Sequence, residues 1–311
     1  MLTHTQIPRL MSLRRVGFCL SDKKRKRMNL DAFANFCALH GVEVVMIDLT
    51  QPLALQGPFN VIVHKMSDII VEAEHNRQSQ QLLANFQSYV SAHPSTVLLD
   101  PLPAMTQLLD RFATYRIMSK LENSLQDWRI CSPPYLEIHN ESDLVSKQTL
   151  MAQSLSFPLL CKTRVAHGSL SHESFINHGA VLHKVFVIGD KHFCVERPSL
   201  KNFPSGPCDR KTIFFNSHQV SKPESSSNLT ALDEQMPCLP PPSSQAIEAL
   251  VKELRAQLGM ALLGVDVIIN SHTHTLTIID INIFPGYEGV PEFFSSLLSL
   301  IQSVLDQQTS G

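Results

Sequence analysis

Two β-branched runs near the C-terminus carry acidic and amide side chains in stretches otherwise apolar enough to be interior strands. They are Leu263-Gly-Val-Asp-Val-Ile-Ile-Asn270 and Thr275-Leu-Thr-Ile-Ile-Asp-Ile-Asn-Ile-Phe-Pro-Gly286. The short polar gap Ser271-His-Thr-His274 between them is the pattern of a β-hairpin. Side chains alternate faces along a strand, so Asp280 and Asn282 share one face. With the turn at or near His-Thr-His, Asp266 falls across from Asp280 within about a residue of register. Two carboxylates and an amide oxygen then meet at one spot on a sheet. Unpaired buried carboxylates are costly, so something must neutralise them. An oxygen-only set suits a hard cation such as Mg²⁺, which usually sits between carboxylates and substrate phosphates. The plainer alternative is one carboxylate at a strand end beside a capping pair.

The remaining chain supplies a frame for such a hairpin. Val16-Gly-Phe-Cys-Leu20, Val42-Glu-Val-Val-Met-Ile-Asp-Leu49, Val61-Ile-Val-His-Lys65 and Thr96-Val-Leu-Leu99 read as strands. Helical patterns lie between them, one capped by Ser21 and running through Asp31 to His40, another over 76–92. Alternating strands and helices predict a parallel sheet with crossover helices. A helix over about 104–124 follows the proline-stiffened Asp100-Pro-Leu-Pro103. After Cys131-Ser-Pro-Pro134 the pattern changes. Phe157–Lys162 reads as a strand with Cys161 facing the core, 181–188 and 191–196 as a hairpin on a Gly-Asp turn, and Ile213-Phe-Phe215 as a short strand. Residues 221–244 are rich in Ser and Pro and read as a loop. Ile247, Leu250, Val251, Leu254 and Leu258 give a helical stripe ended by Gly259, and a last helix covers about 291–306.

With 311 residues, 43% of them hydrophobic, the chain can hold two modest domains or one elaborate α/β unit. A net charge of −2 argues against general nucleic-acid binding, so any anionic ligand needs a local basic patch. Seven scattered cysteines without a C-x-x-C favour reduced thiols in the cytoplasm, with nuclear access open. No run is apolar enough to span a bilayer, and the first residues carry no signal-peptide core; Met11 could equally be a start.

Basic and hydroxyl groups gather in several places. Lys162-Thr-Arg-Val-Ala-His-Gly-Ser169 joins a strand end to a glycine-containing loop, which is one way to hold a nucleotide phosphate; a surface basic cluster is the alternative. Arg197, Ser199, Lys201, Ser217 and Ser221 add possible phosphate donors. Lys23-Lys-Arg-Lys-Arg27 is a solvated helix start or localisation tract, or else it reaches a polyanion at the C-terminal end of the first strand, where Lys65 also points. His272 and His274 read as exposed turn polars.

Motifs in order now converge. Leu20-Ser-Asp-Lys-Lys24, His64-Lys65, Asp100-Pro-Leu-Pro103, Leu109-Asp-Arg111, Cys131-Ser-Pro-Pro134, Cys161-Lys-Thr-Arg-Val-Ala-His-Gly168, Arg197-Pro-Ser-Leu-Lys-Asn-Phe203, Phe214-Phe-Asn-Ser-His218 and Asp280-Ile-Asn-Ile-Phe-Pro-Gly-Tyr-Glu-Gly289 are all present. From about Arg15 to residue 306 the chain resembles the inositol-tetrakisphosphate 1-kinase (inositol-1,3,4-trisphosphate 5/6-kinase) family. That resemblance implies an α/β ATP-grasp fold, an N-terminal α/β domain followed by two α+β subdomains clamping the nucleotide. Residues 1–14 would be a flexible extension, 15–103 the N-terminal domain, 104–306 the ATP-grasp regions, shortened near 173–175, and 307–311 a tail. The implied activity is ATP-dependent phosphorylation of inositol polyphosphates: inositol 3,4,5,6-tetrakisphosphate at position 1, or inositol 1,3,4-trisphosphate at position 5 or 6. Lys24, Lys65, His172, Lys184 and Asn282 would bind the inositol ligand. Arg111, Lys162, Ser199, Ser217 and Ser221 would line the ATP site. Asp266, Asp280 and Asn282 would hold two Mg²⁺ ions. No general base is assigned, and the chain is expected to work as a monomer.

One departure stands out. In the family a strand, a helix and a further strand separate the Ser-His-Glu loop from the Phe-Ile-Asn-His segment, and that strand ends in a Gln-Asn hinge at the adenine. Here His172-Glu-Ser runs straight into Phe175-Ile-Asn-His178. Roughly twenty residues are absent, enough for a complete crossover element. Glu173 or Ser174 stands where the hinge Gln would be. Missing strands are expected to leave neighbouring sheet edges unpaired. Two alternatives to the kinase therefore stand beside it: an inositol phosphate binder that has lost its nucleotide, and an ATP-grasp carboxylate–amine ligase.

Overall fold

The computed structural model describes residues 14–140, 142, 155–163, 170–206, 211–231 and 239–310. Residues 1–13 and most of the Lys162–Ser169 loop lie outside them. The chain divides into two units, residues 1–99 with 294–311, and residues 100–293.

The first unit is a parallel sheet in the order β2-β1-β3-β4, made of β1 (Arg14–Cys19), β2 (Val42–Met46), β3 (Val61–His64) and β4 (Val97–Leu99). Val16, Phe18, Val61, Ile62 and Val63 are buried, as expected of strands covered on both faces. The helix expected after Ser21 is two helices, α1 (Asp22–Arg27) and α2 (Leu30–Ala38), because Asn29 adopts a left-handed conformation with φ of 51°. Ser21 does cap α1, accepting from the Lys24 backbone N–H. Between β2 and β4 come α3 (Leu53–Gln56), α4 (Ser67–Glu72) and α5 (Arg77–Ala92), the last capped by Asn76.

The second unit begins with α6 (Leu102–Leu109) and α7 (Arg111–Ser124), where one helix was expected. Asp110 breaks them: its backbone is extended, and its carboxylate accepts from Phe112 N–H at 2.9 Å to start α7 afresh. The sequence pattern missed three strands here, β5 (Ile130–Cys131), β6 (Tyr135–Ile138) and β8 (Leu170–Ser174); β7 (Leu159–Thr163) was expected. β6, β8 and β7 form an antiparallel sheet with β8 in the middle. β8, which ends where the shortening was expected, partners both β6 and β7 and leaves those two as the edges of this sheet among the described residues. Cys161 is exposed, not core. Its neighbour Lys162 faces the side that α7 covers, so Cys161 takes the open face.

β9 (Val181–Ile188) and β10 (Lys191–Pro198) form the expected hairpin over Gly189-Asp190. Residues 213–215, expected as a strand, have no regular structure, and Phe214 is 92% exposed. A short helix α8 (Ser217–Val220) follows. α9 (Ser244–Leu258) buries Ile247, Leu250, Val251, Leu254 and Leu258 and ends at left-handed Gly259. β11 (Leu262–Ile269) and β12 (Leu276–Ile283) are the C-terminal hairpin, completing a sheet of order β10-β9-β11-β12-β5. α10 (Phe293–Ser310) runs through the expected tail. From residue 294 it belongs to the first unit, where Phe294 meets Phe33 edge-on at 5.3 Å.

Candidate functional site

The second unit gathers two carboxylates and three cations around the C-terminal hairpin. Asp266 on β11 stands directly opposite Asp280 on β12, and on its other side directly opposite Lys184 of β9. The three side chains therefore form one row across three strands. Lys184 Nζ lies 3.1 and 3.0 Å from the two Asp266 oxygens. The Asp266 carboxyl is held above the usual carboxylate range, first by burial and also by Asp280; Lys184 and Lys162 oppose the rise. Arg111 Nη1 is 3.7 Å from Asp280. This arginine occupies the first position of α7, where a cation opposes the helix dipole, so its placement serves the cluster and not the helix.

A β-bulge links the cluster to β7. Asp266 pairs with Asp280 but Val267 pairs with Ile278, which leaves Ile279 as the extra residue. Lys162 Nζ donates to the Ile279 carbonyl at 3.2 Å. The bulge also resets the alternation, so that Ile278, Ile281 and Ile283 are buried while Asp280 and Asn282 share the opposite, half-open face. Asn282 lies across from Gly264. A side chain at Gly264 would press on Pro285, whose Cγ is 3.0 Å from the position of a Cβ.

Lys162 has a further partner. Its Nζ is 2.5 Å from Oε1 of Glu173, and Tyr115 of α7 donates its hydroxyl to Oε2 at 2.8 Å. Glu173 is only 1% exposed. Ser199 is buried with its hydroxyl 2.8 Å from His178 Nε2. His178 Nδ1 is 2.7 Å from the Ile176 carbonyl and must carry the proton, so Nε2 accepts from Ser199. Burial holds the His178 imidazole below its ordinary value.

In the first unit the strand order reverses between β1 and β3, the position at which open α/β sheets bind ligands. Lys24 follows β1, and Lys65 directly follows β3, its N–H donating to the Cys19 carbonyl at 3.1 Å. Burial, with Arg27 adding to it and Asp68 opposing, lowers the Lys65 ammonium below its usual range. Of the basic run, Lys24 is buried while Lys23, Lys26 and Arg27 are exposed. The solvated reading thus fits Lys23, Lys26 and Arg27, while Lys24 is set apart from them by its burial.

Other expected residues lie elsewhere. His172 is on β8 at the register of Leu136 and Cys161. Ser217 is exposed at the start of α8, and Ser221 is half-buried just past its end. The Arg197 guanidinium donates to the backbone carbonyls of Glu196 and Glu288. Sequence reasoning gave no role to Tyr115, His178 or Asp100. Tyr115 carries no local signal, since its partner is distant in sequence and meets it only through the β6-β8-β7 sheet.

Among the described residues no three His, Cys, Asp or Glu gather into a metal cage. The Asp266–Asp280 pair still fits a hard cation, because two adjacent carboxylates, one of them nearly buried, need positive charge between them.

Comparison with known proteins gives consistent matches. Residues 15–105 match the inositol 1,3,4-trisphosphate 5/6-kinase pre-ATP-grasp domain, and residues 124–174 and 172–303 match the ATP-grasp domain of the same kinase. The inositol-tetrakisphosphate 1-kinase of Xenopus laevis is 49% identical over 315 residues, covering 94% of this chain and 80% of the relative. Inositol-tetrakisphosphate 1-kinase 3 of Oryza sativa is 31% identical, covering 95% and 85%. The ATP-grasp match falls in two parts that meet at 172–174. Among solved structures, D-alanine–D-alanine ligase from Bacillus anthracis superposes with a TM-score of 0.57 at 10% identity, covering 96% of this chain and 99% of the other. N5-carboxyaminoimidazole synthetase from Staphylococcus aureus complexed with ADP gives 0.53 at 12%, covering 93% and 76%. These two share the fold.

Proposed function

This chain belongs to the inositol 1,3,4-trisphosphate 5/6-kinase family, and from that membership we propose how its residues carry out the transfer. It is an ATP-dependent inositol phosphate kinase of the ATP-grasp fold. The finer reading is that it phosphorylates inositol 3,4,5,6-tetrakisphosphate at position 1 and inositol 1,3,4-trisphosphate at position 5 or 6, acting as a cytoplasmic monomer.

Phosphoryl transfer asks a protein mainly for positioning and charge neutralisation. Lys162 and Arg111 are assigned to the ATP phosphates, with Ser199, Ser217 and Ser221 along the nucleotide. Asp266, Asp280 and Asn282 would hold two Mg²⁺ ions. When bound, those ions would neutralise phosphate oxygens and orient the terminal phosphate for in-line attack. Lys24, Lys65, His172, Lys184 and Asn282 are assigned to the inositol polyphosphate. A polyanion placed near ATP needs a lysine-rich environment, and the pair Lys24–Lys65 at the strand-order reversal supports that assignment within the first unit. No side chain is assigned as general base.

The observation that carries the reading is the row Lys184–Asp266–Asp280 with Arg111 and Lys162 converging on the same strand of the hairpin. Anion-exchange analysis of products from MgATP with each inositol phosphate tests it. Asp280→Ala should cut turnover by about a hundredfold or more, the usual scale for loss of an electrostatic stabiliser. Turnover equal to that of the unaltered chain would remove the proposed role of the acidic pair.

A further inference from the structure

Glu173 is a buried carboxylate with both oxygens engaged, and one of its partners is the lysine assigned above to a nucleotide phosphate. On β8 it stands between Tyr135 and Leu160, so it shares a sheet face with Lys162, two residues from Leu160. Tyr115, itself 1% exposed and stacked on Tyr135 at 4.4 Å, fixes the second oxygen. Lys162 divides its ammonium between Glu173 and the Ile279 carbonyl. Glu173 also sits at 172–174, where the two parts of the ATP-grasp match meet. The strand that closes the β6-β8-β7 sheet in this chain thus brings a negative charge onto the phosphate lysine.

We propose that Glu173 is a built-in occupant of the Lys162 phosphate subsite, and that its carboxylate sets how tightly this chain binds a nucleotide. The inference rests on the assignment of Lys162 to a nucleotide phosphate. A phosphate oxygen approaching Lys162 finds two of the ammonium's three N–H donors engaged, and must share the charge with the carboxylate or displace it. The displaced carboxylate then stays beside the phosphate as a like charge in a poorly solvated place, where repulsion is weakly screened. Tyr115 adds to the cost by holding the carboxylate in its closed position.

A structural role for the same pair makes the opposite prediction. If Glu173 served only to orient Lys162, as a carboxylate can pre-position a lysine for phosphates, removing its charge would loosen the lysine and weaken nucleotide binding.

Titration calorimetry of the full chain with MgATP separates the two. Glu173→Gln keeps the shape and an acceptor for Tyr115 and removes only the charge. Its dissociation constant for MgATP should fall by about tenfold relative to the unaltered chain, the scale of one charge-assisted hydrogen bond no longer competing. Tyr115→Phe, which frees one carboxylate oxygen and leaves the charge, should shift affinity in the same direction by less. Should Glu173→Gln disturb folding, as judged by thermal unfolding, the Tyr115→Phe arm alone decides. An unchanged or weaker affinity in the folded variants, or no detectable binding in them, overturns the proposal. Lys162→Met, made in the unaltered chain and in the Glu173→Gln background, identifies which idea has failed. If Lys162→Met weakens binding but Glu173→Gln gives no gain, the built-in occupant is wrong and the phosphate lysine stands. If Lys162→Met leaves MgATP affinity unchanged in both backgrounds, the assignment of Lys162 itself is wrong.

Discussion

Lys184 covers both oxygens of Asp266 with one ammonium, at 3.1 and 3.0 Å, while Asp280 presses on the same carboxylate from the next strand. This lysine, with Arg111 beside Asp280 and Lys162 nearby, supplies the positive charge that lets two acidic residues stand side by side. A divalent cation held by Asp266 and Asp280 would share that work and weaken the hold of Asp266 on Lys184.

Lys184→Met should therefore destabilise the metal-free protein by about 3 kcal/mol, the low end for a broken buried pair. The low end applies because a quarter of the Lys184 side chain reaches solvent and Asp266, already raised, can take up a proton. Magnesium chloride should raise the melting temperature of the variant more than that of the unaltered chain. Equal stability without metal in a thermal melt would show that Lys184 is not what neutralises the pair.

Asp100 anchors the start of β11. Its buried carboxylate accepts from Ala261 N–H at 2.7 Å and Leu262 N–H at 2.9 Å, and burial raises its pKa despite both bonds. Asp100→Ala strands two buried donors and should cost about 3 kcal/mol. Asp100→Asn keeps one acceptor oxygen and should cost about half as much. Urea midpoints check this: both variants should shift with the slope unchanged, and a silent Asp100→Ala would leave the anchor without a role.

Elements with strong local periodicity were readable from the sequence. The α9 stripe, the β9–β10 hairpin on Gly189-Asp190 and the Asp266–Asp280 pairing all follow from side-chain period and turn chemistry. The ATP-grasp family was readable because long motifs recur in order. What escaped reading depends on distant partners. β5 has two residues and becomes a strand only by lying along β12; β6 and β8 depend on each other and on β7. The break at Asp110 turns on whether its side chain caps the following helix, which composition does not show. Ile213-Phe-Phe215 has strand propensity but no partner strand among the described residues, and propensity alone does not make a ladder. Within the site the acidic row was legible. The bulge at Ile279 and the Lys162–Glu173–Tyr115 contact were not, because each is set by how two sheets and α7 meet.

His178 gives the protein a pH-dependent stability whose sign is fixed by its surroundings. Its Nδ1–H is committed to the Ile176 carbonyl and its Nε2 accepts from the Ser199 hydroxyl, so a second proton on Nε2 would require that hydroxyl to turn, in a buried site that disfavours the charge. Burial lowers its pKa below the ordinary 6.5 first of all, His183 lowers it further, and the Ile176 bond opposes. His183 is itself lowered by burial, with Glu196 opposing. An unfolded chain therefore binds more protons than the native one once the pH falls below 6.5. The stability from this site is complete above that value and is lost as the pH falls through the depressed native pKa. Between 6.5 and that depressed value each such histidine steepens the loss by up to about 1.4 kcal/mol per pH unit, and below the depressed value its contribution to the slope fades. His178→Asn removes one titrating group, so its unfolding free energy should fall less steeply than that of the unaltered chain between about pH 7 and about pH 5 in urea titrations. Carboxylates titrating in that range contribute equally to both proteins and cancel in the comparison. Parallel curves would mean that His178 accepts its second proton in the folded state, against the hydrogen bonds that hold it.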